Sequence, residues 1–161
     1  MKLKKSVTIF CSLFTTCSLL FFSCTEMNVF EKNLSIPNFK WQSNFIAKGS
    51  FIIEDTASAY NIYLVLRHTD AYRYNNIWLN IAMQPPSDSF YNQKIDIQLA
   101  TDATGWKGTG MNDIWEVREL LNIKPQRFKK SGTYNFTIAH IMRDDPLLNI
   151  MSVGLRVEKE K

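Results

Sequence analysis

The sequence has few of the residues on which catalysis and covalent cross-linking depend. It contains only two histidines, His68 and His140, and three cysteines in 161 residues. Cys11 and Cys17 lie inside an apolar run, and no cysteine follows Cys24. An internal disulfide or a cysteine-ligated zinc site is therefore excluded from residue 24 onward. The sequence also lacks a nucleophile-elbow motif, a zinc-protease motif and a phosphate-binding loop.

The chain also has little net charge once its first residues are set aside. The formal net charge is +4, and Lys2, Lys4 and Lys5 supply three of these charges, which leaves +1 from residue 24 onward. The one compact basic group there is residues 127–130, which precede a turn signal. Nucleic-acid binding needs basic residues clustered on the folded part of a protein. We therefore predict no nucleic-acid partner.

Residues 1–23 have the pattern of an export signal. A basic start is followed by residues 7–22 without any charge, and then by the small residue Ser23. This is the order of a secretory signal peptide. A transmembrane helix needs about 20 apolar residues, whereas this run is shorter and is interrupted by serine and threonine. A permanent transmembrane helix remains the less favoured alternative.

The end of this signal resembles that of a bacterial lipoprotein, because Ser23 is followed directly by Cys24. In such signals the chain is cut before the cysteine, whose thiol receives a diacylglycerol. We predict that Cys24 is lipidated and that its acyl chains hold the protein to a membrane of the cell envelope, facing the periplasm. Each buried methylene contributes about 0.8 kcal/mol to such binding. A cleaved signal without a lipid remains an alternative.

The remaining chain is dominated by alternating apolar and polar residues, which is the pattern of half-buried strands. The alternating segments are residues 45–53, 62–68, 77–83, 95–99, 134–142 and 153–157. Because 62–68 is apolar on both faces, we expect it in the centre of a sheet. The pattern predicts an all-β protein, an antiparallel β-sandwich that is jelly-roll-like or immunoglobulin-like, with at most one short helix. The predicted division is signal peptide 1–23, lipidated N-terminus and tether 24–43, and sandwich domain 44–161.

Two segments are harder to assign. In residues 112–122, Asp113 and Glu116 resemble a helix capping pair and the apolar residues have helical spacing. We expect a short helix or an irregular turn there, with a strand as the alternative. The glycine-rich loop around Trp106, residues 105–110, has no strand-then-helix frame, and hairpin or bulge geometry is the expected use of its glycines.

No candidate for chemistry is specific. His68 and His140 both continue an apolar face, so a core histidine bonded to a backbone carbonyl is favoured over a general base. The pair Asp144-Asp145 is either part of a calcium loop or, more simply, a turn whose carboxylates bond the local backbone. Glu116 and Glu119 form either an acid pair or part of an exposed turn. We predict no catalytic residue, no cofactor and no metal site.

Aromatic residues are the one surplus of the sequence. They include Trp78, Trp106, Trp115, Tyr60, Tyr63, Tyr72 and Tyr74. Most aromatic side chains pack in cores, but exposed ones can stack on sugar rings or fill a partner's pocket. Trp78 is the best candidate for an outward position, because its neighbours Ile77 and Leu79 belong to the opposite face of the predicted strand.

Several segments, in the same order along the chain, resemble the GldH family of gliding-motility lipoproteins from Bacteroidetes. They are YNI (60–62), LRHT (66–69), YRYNN (72–76), GWKG (105–108), SGTYNFTI (131–138), HIMR (140–143) and VGLRVEK (153–159). The resemblance covers most of the chain after the signal.

The resemblance implies a membrane-anchored, non-enzymatic component of the gliding machinery, which is coupled to type IX secretion. Its implied partners are other gliding and secretion proteins of the envelope. The acylated cysteine of the family maps to Cys24, and no catalytic residue is implied. Members from non-gliding species imply a role in secretion or in the envelope as an alternative. A different alternative, from the aromatic residues alone, is a binding module for glycan or another exported ligand.

Overall fold

Two antiparallel sheets contain eight strands of seven or more residues and one strand of three residues. The computed structural model describes residues 29–160. In chain order the strands are β1 (Val29–Ser35), β2 (Lys40–Trp41), β3 (Ala47–Ile53), β4 (Tyr60–Thr69), β5 (Asn76–Gln84), β6 (Tyr91–Gln98), β7 (Ala100–Thr101), β8 (Gly105–Trp106), β9 (Thr109–Met111), β10 (Ile114–Leu120), β11 (Gly132–His140), β12 (Leu147–Leu148) and β13 (Ile150–Lys159). One sheet has the order β1-β13-β4-β10-β9 and the other β3-β11-β5-β6. Within the described range the only helical segment is a 3-10 turn at Pro37–Phe39.

The pairing of the eight long strands is nested. The first strand pairs with the last (β1 with β13), the second with the seventh (β3 with β11), the third with the sixth (β4 with β10) and the fourth with the fifth (β5 with β6). A long antiparallel hairpin rolled into two facing sheets in this way is a jelly roll. The all-β sandwich is therefore confirmed, and the jelly-roll alternative describes its topology.

The core lies between the two sheets and is built from every second residue of each strand. Leu64 and Leu66 of β4 are fully buried, and Phe136 and Ile138 of β11 are at most 1 % exposed. Burying one such side chain contributes about 1.5–3 kcal/mol. The predicted central position of β4 is confirmed, because Val65, on its opposite face, is also buried.

The tether predicted over residues 24–43 is corrected where the structure describes it. Residues 29–35 form β1, all seven of which pair with β13. Trp41 of β2 is fully buried, and its indole nitrogen Nε1 donates to the carbonyl oxygen of Phe45 at 2.9 Å. Among the described residues, the sandwich therefore already includes Val29. Residues 1–28, with the predicted signal and Cys24, lie outside the described residues.

The expectation of a helix or irregular turn in residues 112–122 is also wrong, and the strand alternative is correct. Residues 114–120 form β10, which pairs with β4 over seven residues and with β9 over three. The predicted capping pair serves other purposes: the carbonyl of Asp113 accepts from Asp70 N at 2.9 Å, and Glu116 binds two arginines. Tertiary pairing overrides the helical spacing of the apolar residues here.

The glycine-rich loop forms hairpins, as expected. β7 pairs with β8, and β9 pairs with β10. Gly108 has a positive φ of 88°, and a Cβ at this position would clash with the backbone carbonyl of Glu116. Only glycine fits where the loop crosses so close to β10.

Both histidines lie in the core. His68 is fully buried, its Nδ1 contacts the carbonyl oxygen of Thr69 at 2.8 Å, and its ring lies 4.6 Å from that of Trp106. His140 is 3 % exposed and packs edge-on against Trp41. The Nε2 of His68 and both ring nitrogens of His140 have no aligned hydrogen-bond partner among the described residues. The expected carbonyl bond is therefore well aligned only for His68, whereas His140 lies near the Trp41 backbone without an aligned bond.

Because these histidines are buried, we predict that acid destabilises the fold at mild pH. Burial lowers the pKa of both rings below the ordinary 6.5. The Thr69 backbone acts in the opposite direction on His68, as do the Trp41 backbone and Asp145 on His140, but burial outweighs them. The unfolded chain then binds protons more readily than the folded one, so the free energy of unfolding falls as pH drops below about 6.5. For each ring, the loss is about 1.4 kcal/mol for every unit by which folding lowers its pKa. Urea denaturation at pH 7.5 and 5.5 measures this loss. A His68→Asn, His140→Gln double variant should show a much flatter pH dependence; equal slopes would contradict the prediction.

Candidate functional site

The end of the sandwich where β1 begins is the part closest to Cys24 along the chain. Val29, the first residue of β1, pairs with Glu158 near the end of β13 and follows Cys24 by five positions. An extended chain spans at most about 3.6 Å per residue. A lipid on Cys24 would therefore lie within roughly 20 Å of the sandwich. The lipidation itself stays a prediction.

Three loops lie at this same end, which we call the β1-start end. One is the β5–β6 connection, residues 85–90, which follows Gln84, the partner of Asn135 near the start of β11. The β3–β4 connection, residues 54–59, precedes Tyr60, and Tyr60 pairs with Lys159, the last residue of β13. The β10–β11 connection, residues 121–131, is joined to the same strand, because Tyr60 and Gln126 exchange two backbone hydrogen bonds of 2.9 and 3.0 Å.

The side chain of Asn122 holds the 121–131 loop in place. Its Oδ1 accepts from the backbone N–H of Ile62 at 2.7 Å, and its Nδ2 donates to the carbonyl oxygens of Tyr60 at 3.1 Å and Lys124 at 2.8 Å. The next residue, Ile123, is 99 % exposed. A large apolar side chain is thus presented to solvent by an anchored loop.

The charges of the β1-start end are only partly paired. Lys130 bonds Asp88 at 3.4 Å and Lys159 bonds Asp55 at 2.7 Å. The Lys159 ammonium, with Ser58 and the Ala57 backbone, holds the pKa of the Asp55 carboxyl well below its usual range. Three further cations of the loop, Lys124, Arg127 and Lys129, make no ion pair with any described residue.

An apolar groove of about 360 Å³ opens between this loop and the edge of the four-stranded sheet. Its apolar lining comes from Ile62, Ile81, Met83, Ile95 and Leu121. Tyr91 and Ile123 lie at its rim, 53 % and 99 % exposed. The groove follows β6, the last strand of that sheet.

Trp78 points outward from the four-stranded sheet, as predicted, and is 43 % exposed. Its backbone N–H lies 3.2 Å from the sulfur of Met142, and its carbonyl accepts from Ile141 N at 2.9 Å. It pairs across strands with Asp96. The other six aromatic residues singled out in the sequence are buried or half-buried, so Trp78 alone of that set offers a free ring.

The pair Asp144-Asp145 bonds residues that are distant in sequence. Asp145 accepts from the backbone N–H of Ser43 at 2.9 Å and from the Ser43 hydroxyl, which lowers the pKa of its carboxyl. Asp144 accepts from the Tyr74 hydroxyl at 2.6 Å, a bond that raises the pKa of Tyr74. The expected bonds to the local backbone are therefore replaced by bonds that hold loops together. No group of three or more potential metal ligands occurs among residues 29–160.

The possible acid pair of Glu116 and Glu119 is not formed. The two residues are three positions apart on β10, so their side chains leave opposite faces of the strand. Although burial opposes it, hydrogen bonds from Arg67 and Arg118 hold the pKa of Glu116 below its ordinary value. Glu116 is thus a structural counterion of two arginines.

Glu116 belongs to a ladder of ion pairs that sequence reasoning missed. The ladder crosses the outer face of the five-stranded sheet and runs through Arg67, Glu116, Arg118, Glu31, Arg156 and Glu158. Its longest link joins Arg118 to Glu31 at 3.8 Å. The sequence does show charged residues at alternate positions of these strands. Which of them pair with each other, however, depends on the order of the strands in the sheet.

No helix in the described part of the chain is long and apolar enough to cross a membrane. Among the accessible features of the described residues are the loop tip at Ile123, the groove beside β6 and the ring of Trp78. None of them brings together an acid, a base and a nucleophile.

Comparison with known proteins agrees with the sequence resemblance. The family model for the GldH lipoprotein matches residues 28–157. The gliding motility lipoprotein GldH homolog of Christiangramia forsetii is 24 % identical over 164 aligned positions, covering 98 % of each chain. The gliding motility lipoprotein GldH of Flavobacterium johnsoniae is 27 % identical over 150 positions, covering 89 % of this chain and 92 % of that protein.

Two solved structures of infectious bursal disease virus show a distant likeness. The VP2 subviral particle has a TM-score of 0.36 at 12 % identity, over 83 % of this chain and 33 % of the viral one. The Gx strain structure has a TM-score of 0.21 at 9 % identity, over 86 % and 38 %. These scores are too low to support an argument. The family match spans most of the chain, and the chain therefore belongs to the GldH lipoprotein family.

Proposed function

We propose that this protein is a lipid-anchored accessory component of the gliding machinery, which acts in the cell envelope by contact with other proteins. The observation that carries the proposal is membership of the GldH family over residues 28–157, with relatives named as gliding motility lipoproteins. Coupling of this machinery to type IX secretion is part of the proposal. In a species that does not glide, the same contacts would serve secretion or the envelope.

The anchor of this proposal is Cys24. It follows a signal-like stretch and is the last cysteine of the chain. The short distance from Cys24 to β1 supports a body held close to the membrane surface, since only four residues separate Cys24 from the first described strand. Two or more acyl chains provide stable attachment, whereas a single chain does not.

The proposed orientation turns the β1-start end toward the membrane. Ile123 would enter the interface, and Lys124, Arg127 and Lys129 would lie near anionic headgroups. Each cation close to such a surface contributes about 1 kcal/mol. The exposure of Ile123 and the absence of ion pairs for these three cations among residues 29–160 support this orientation.

The proposal assigns no chemistry to the protein. His68 and His140, the two histidines, are buried in the core, and the carboxylates of Glu116, Asp144 and Asp145 are bonded to arginine, tyrosine and serine. These placements support a role in binding. They leave the exposed surfaces as the parts of the molecule that can recognise a partner.

A second candidate function is the binding of glycan or another exported ligand. The observation that favours it is Trp78, whose half-free ring lies on the outer face of the four-stranded sheet beside Asp96. The Nδ2 of Asn76 donates to Asp96 at 2.7 Å, so polar groups adjoin the ring. An aromatic ring bordered by amides and carboxylates can stack on a sugar and bond its hydroxyls.

The lipid anchor predicts a clear effect of Cys24→Ala in the native host. This variant should remain uncleaved by the lipoprotein signal peptidase and should take up no radiolabelled palmitate, because it lacks the acceptor thiol. Gel mobility and autoradiography measure both effects. A Ser23→Ala variant, which keeps a small residue before the cysteine, is the control and should label normally. Unchanged labelling of Cys24→Ala would remove the anchor from the proposal.

The orientation predicts different environments for two engineered cysteines on the anchored protein. A fluorophore on Ile123→Cys should be quenched by lipid-borne quenchers in vesicles, because this position faces the bilayer. Leu148→Cys is the matched control, since Leu148 is an exposed apolar residue, 44 % accessible, in the segment that follows the far end of β11. Equal quenching at both positions would contradict the orientation.

The partner contact predicts that cross-linking in intact cells, followed by purification of the anchored protein, recovers other subunits of the gliding machinery. Deleting the gene in a gliding host should also abolish colony spreading, and the wild-type gene should restore it. Recovery of glycan without protein partners, lost on Trp78→Ala, would favour the second function instead. Normal spreading of the deletion strain would contradict the gliding role.

A further inference from the structure

β6 has one edge without a partner. Its eight residues, Tyr91–Gln98, pair with β5 in one unbroken register. On the opposite side of β6, no backbone hydrogen bond reaches any other described residue. Such an edge presents alternating N–H and C=O groups that can pair with another strand.

The other edges of the two sheets either lie next to each other or are short. β1 and β3 lie next to each other, with the rings of Phe30 and Phe51 5.6 Å apart. The edge of β10 is taken by β9, which has only three residues. By contrast β6 has eight residues, no proline and no bulge, and Lys94 is its single cation. The usual devices that prevent strand pairing are therefore nearly absent from β6.

The outward-facing residues of β6 are complementary to themselves in the antiparallel direction. They are Asn92, Lys94, Asp96 and Gln98, all exposed. If two copies of β6 pair around Ile95, Lys94 of each copy lies opposite Asp96 of the other, and Asn92 lies opposite Gln98. Oppositely charged residues directly across an antiparallel pair are favourable, and like charges there are not.

The inner face of β6 is suited to the same contact. Ile95 is half-buried and lines the groove with Ile81, Met83 and Tyr91. Pairing around Ile95 places the two Ile95 side chains side by side, next to both grooves. Phe90 and Tyr91, 52 % and 53 % exposed, adjoin the edge and would lose water as well.

We propose that β6 is a homodimer interface, in which two copies pair antiparallel about a two-fold axis at Ile95. The four-stranded sheets of the two copies then form one continuous sheet. Because exposed ion pairs contribute little to affinity, Lys94 and Asp96 chiefly select the register, while backbone hydrogen bonds and apolar cover hold the copies together. The inference goes beyond the proposed function, and it depends neither on Cys24 being acylated nor on contacts with other envelope proteins.

Ile95→Cys in the full-length protein, expressed in its native host, tests the pairing. In a paired sheet, opposite residues have Cα atoms about 4.5–5.5 Å apart, which suits a disulfide. We expect a disulfide-linked dimer on non-reducing gels. Gln93→Cys is the matched control: it is exposed on the same strand, but in this register it lies opposite Ile97, so it should give severalfold less dimer. Equal yields from both variants, or none from Ile95→Cys, would overturn the proposal.

Charge reversal in the Ile95→Cys background separates register from mere proximity. Lys94→Asp and Asp96→Lys should each lower the dimer yield severalfold, because each places like charges opposite one another. The double variant should restore it. Thermal melting of each variant checks that the monomer is folded. Failure of the double variant to restore the dimer, or cross-linking of Ile95→Cys to a different protein in place of its own copy, would show that β6 does not pair with itself.

Discussion

The pairing of β1 with β13 is the constraint on which the rest of the structure depends. All seven residues of β1 pair with the last long strand, from Val29 opposite Glu158 to Ser35 opposite Ser152. Once the first and last strands are adjacent, the other pairs nest inside them, and the chain between them has to roll into two sheets. These contacts join residues more than 100 positions apart, which predicts slow folding for a chain of this size.

The same nesting decides which surfaces remain open. Because the outermost pair lies beside β3, the rings of Phe30 and Phe51 meet at one side of the sandwich. The innermost pair, β5 with β6, ends at the opposite side, so β6 has no further strand to meet. The start of β1 lies at one end of the strands, whereas β6 runs along a flank. The two proposed contacts nevertheless adjoin, because Ile123 of the loop and Tyr91 of β6 border the same groove.

Alternation in the sequence predicted most of the strands, because one buried face is a local signal. It failed at β1, where the exposed Lys32 interrupts the inner-face residues Phe30 and Leu34, so that the strand resembled a tether. It also failed at β10, where Asp113 and Glu116 resemble a helix capping pair and the apolar residues have helical spacing. Both errors concern strands near an edge of the sheet, whose state is decided by partners that are distant in the sequence.

The candidate surfaces were predictable only in part, for the same reason. Trp78 could be assigned to an outer face from its two neighbours alone. The exposure of Ile123 could not, because it depends on Asn122 bonding Ile62 and Tyr60, about 60 residues earlier in the chain. The partners of Asp144 and Asp145 were mistaken because a local turn and a bond between distant loops have the same sequence signature. Strand order, and with it the free edge of β6, has no local signature at all.

The ion-pair ladder can cross the outer face of the five-stranded sheet because the centre of that face holds only small groups. Its centre is occupied by the buried Val65 and by Gly154, where a Cβ would clash with the backbone of Lys32. With only small groups there, Arg118 can extend across two strands toward Glu31. Each charge of the ladder therefore has a partner on the same face of the sheet. The four-stranded sheet carries no such ladder among the described residues, so the paired charges are concentrated on one of the two outer faces.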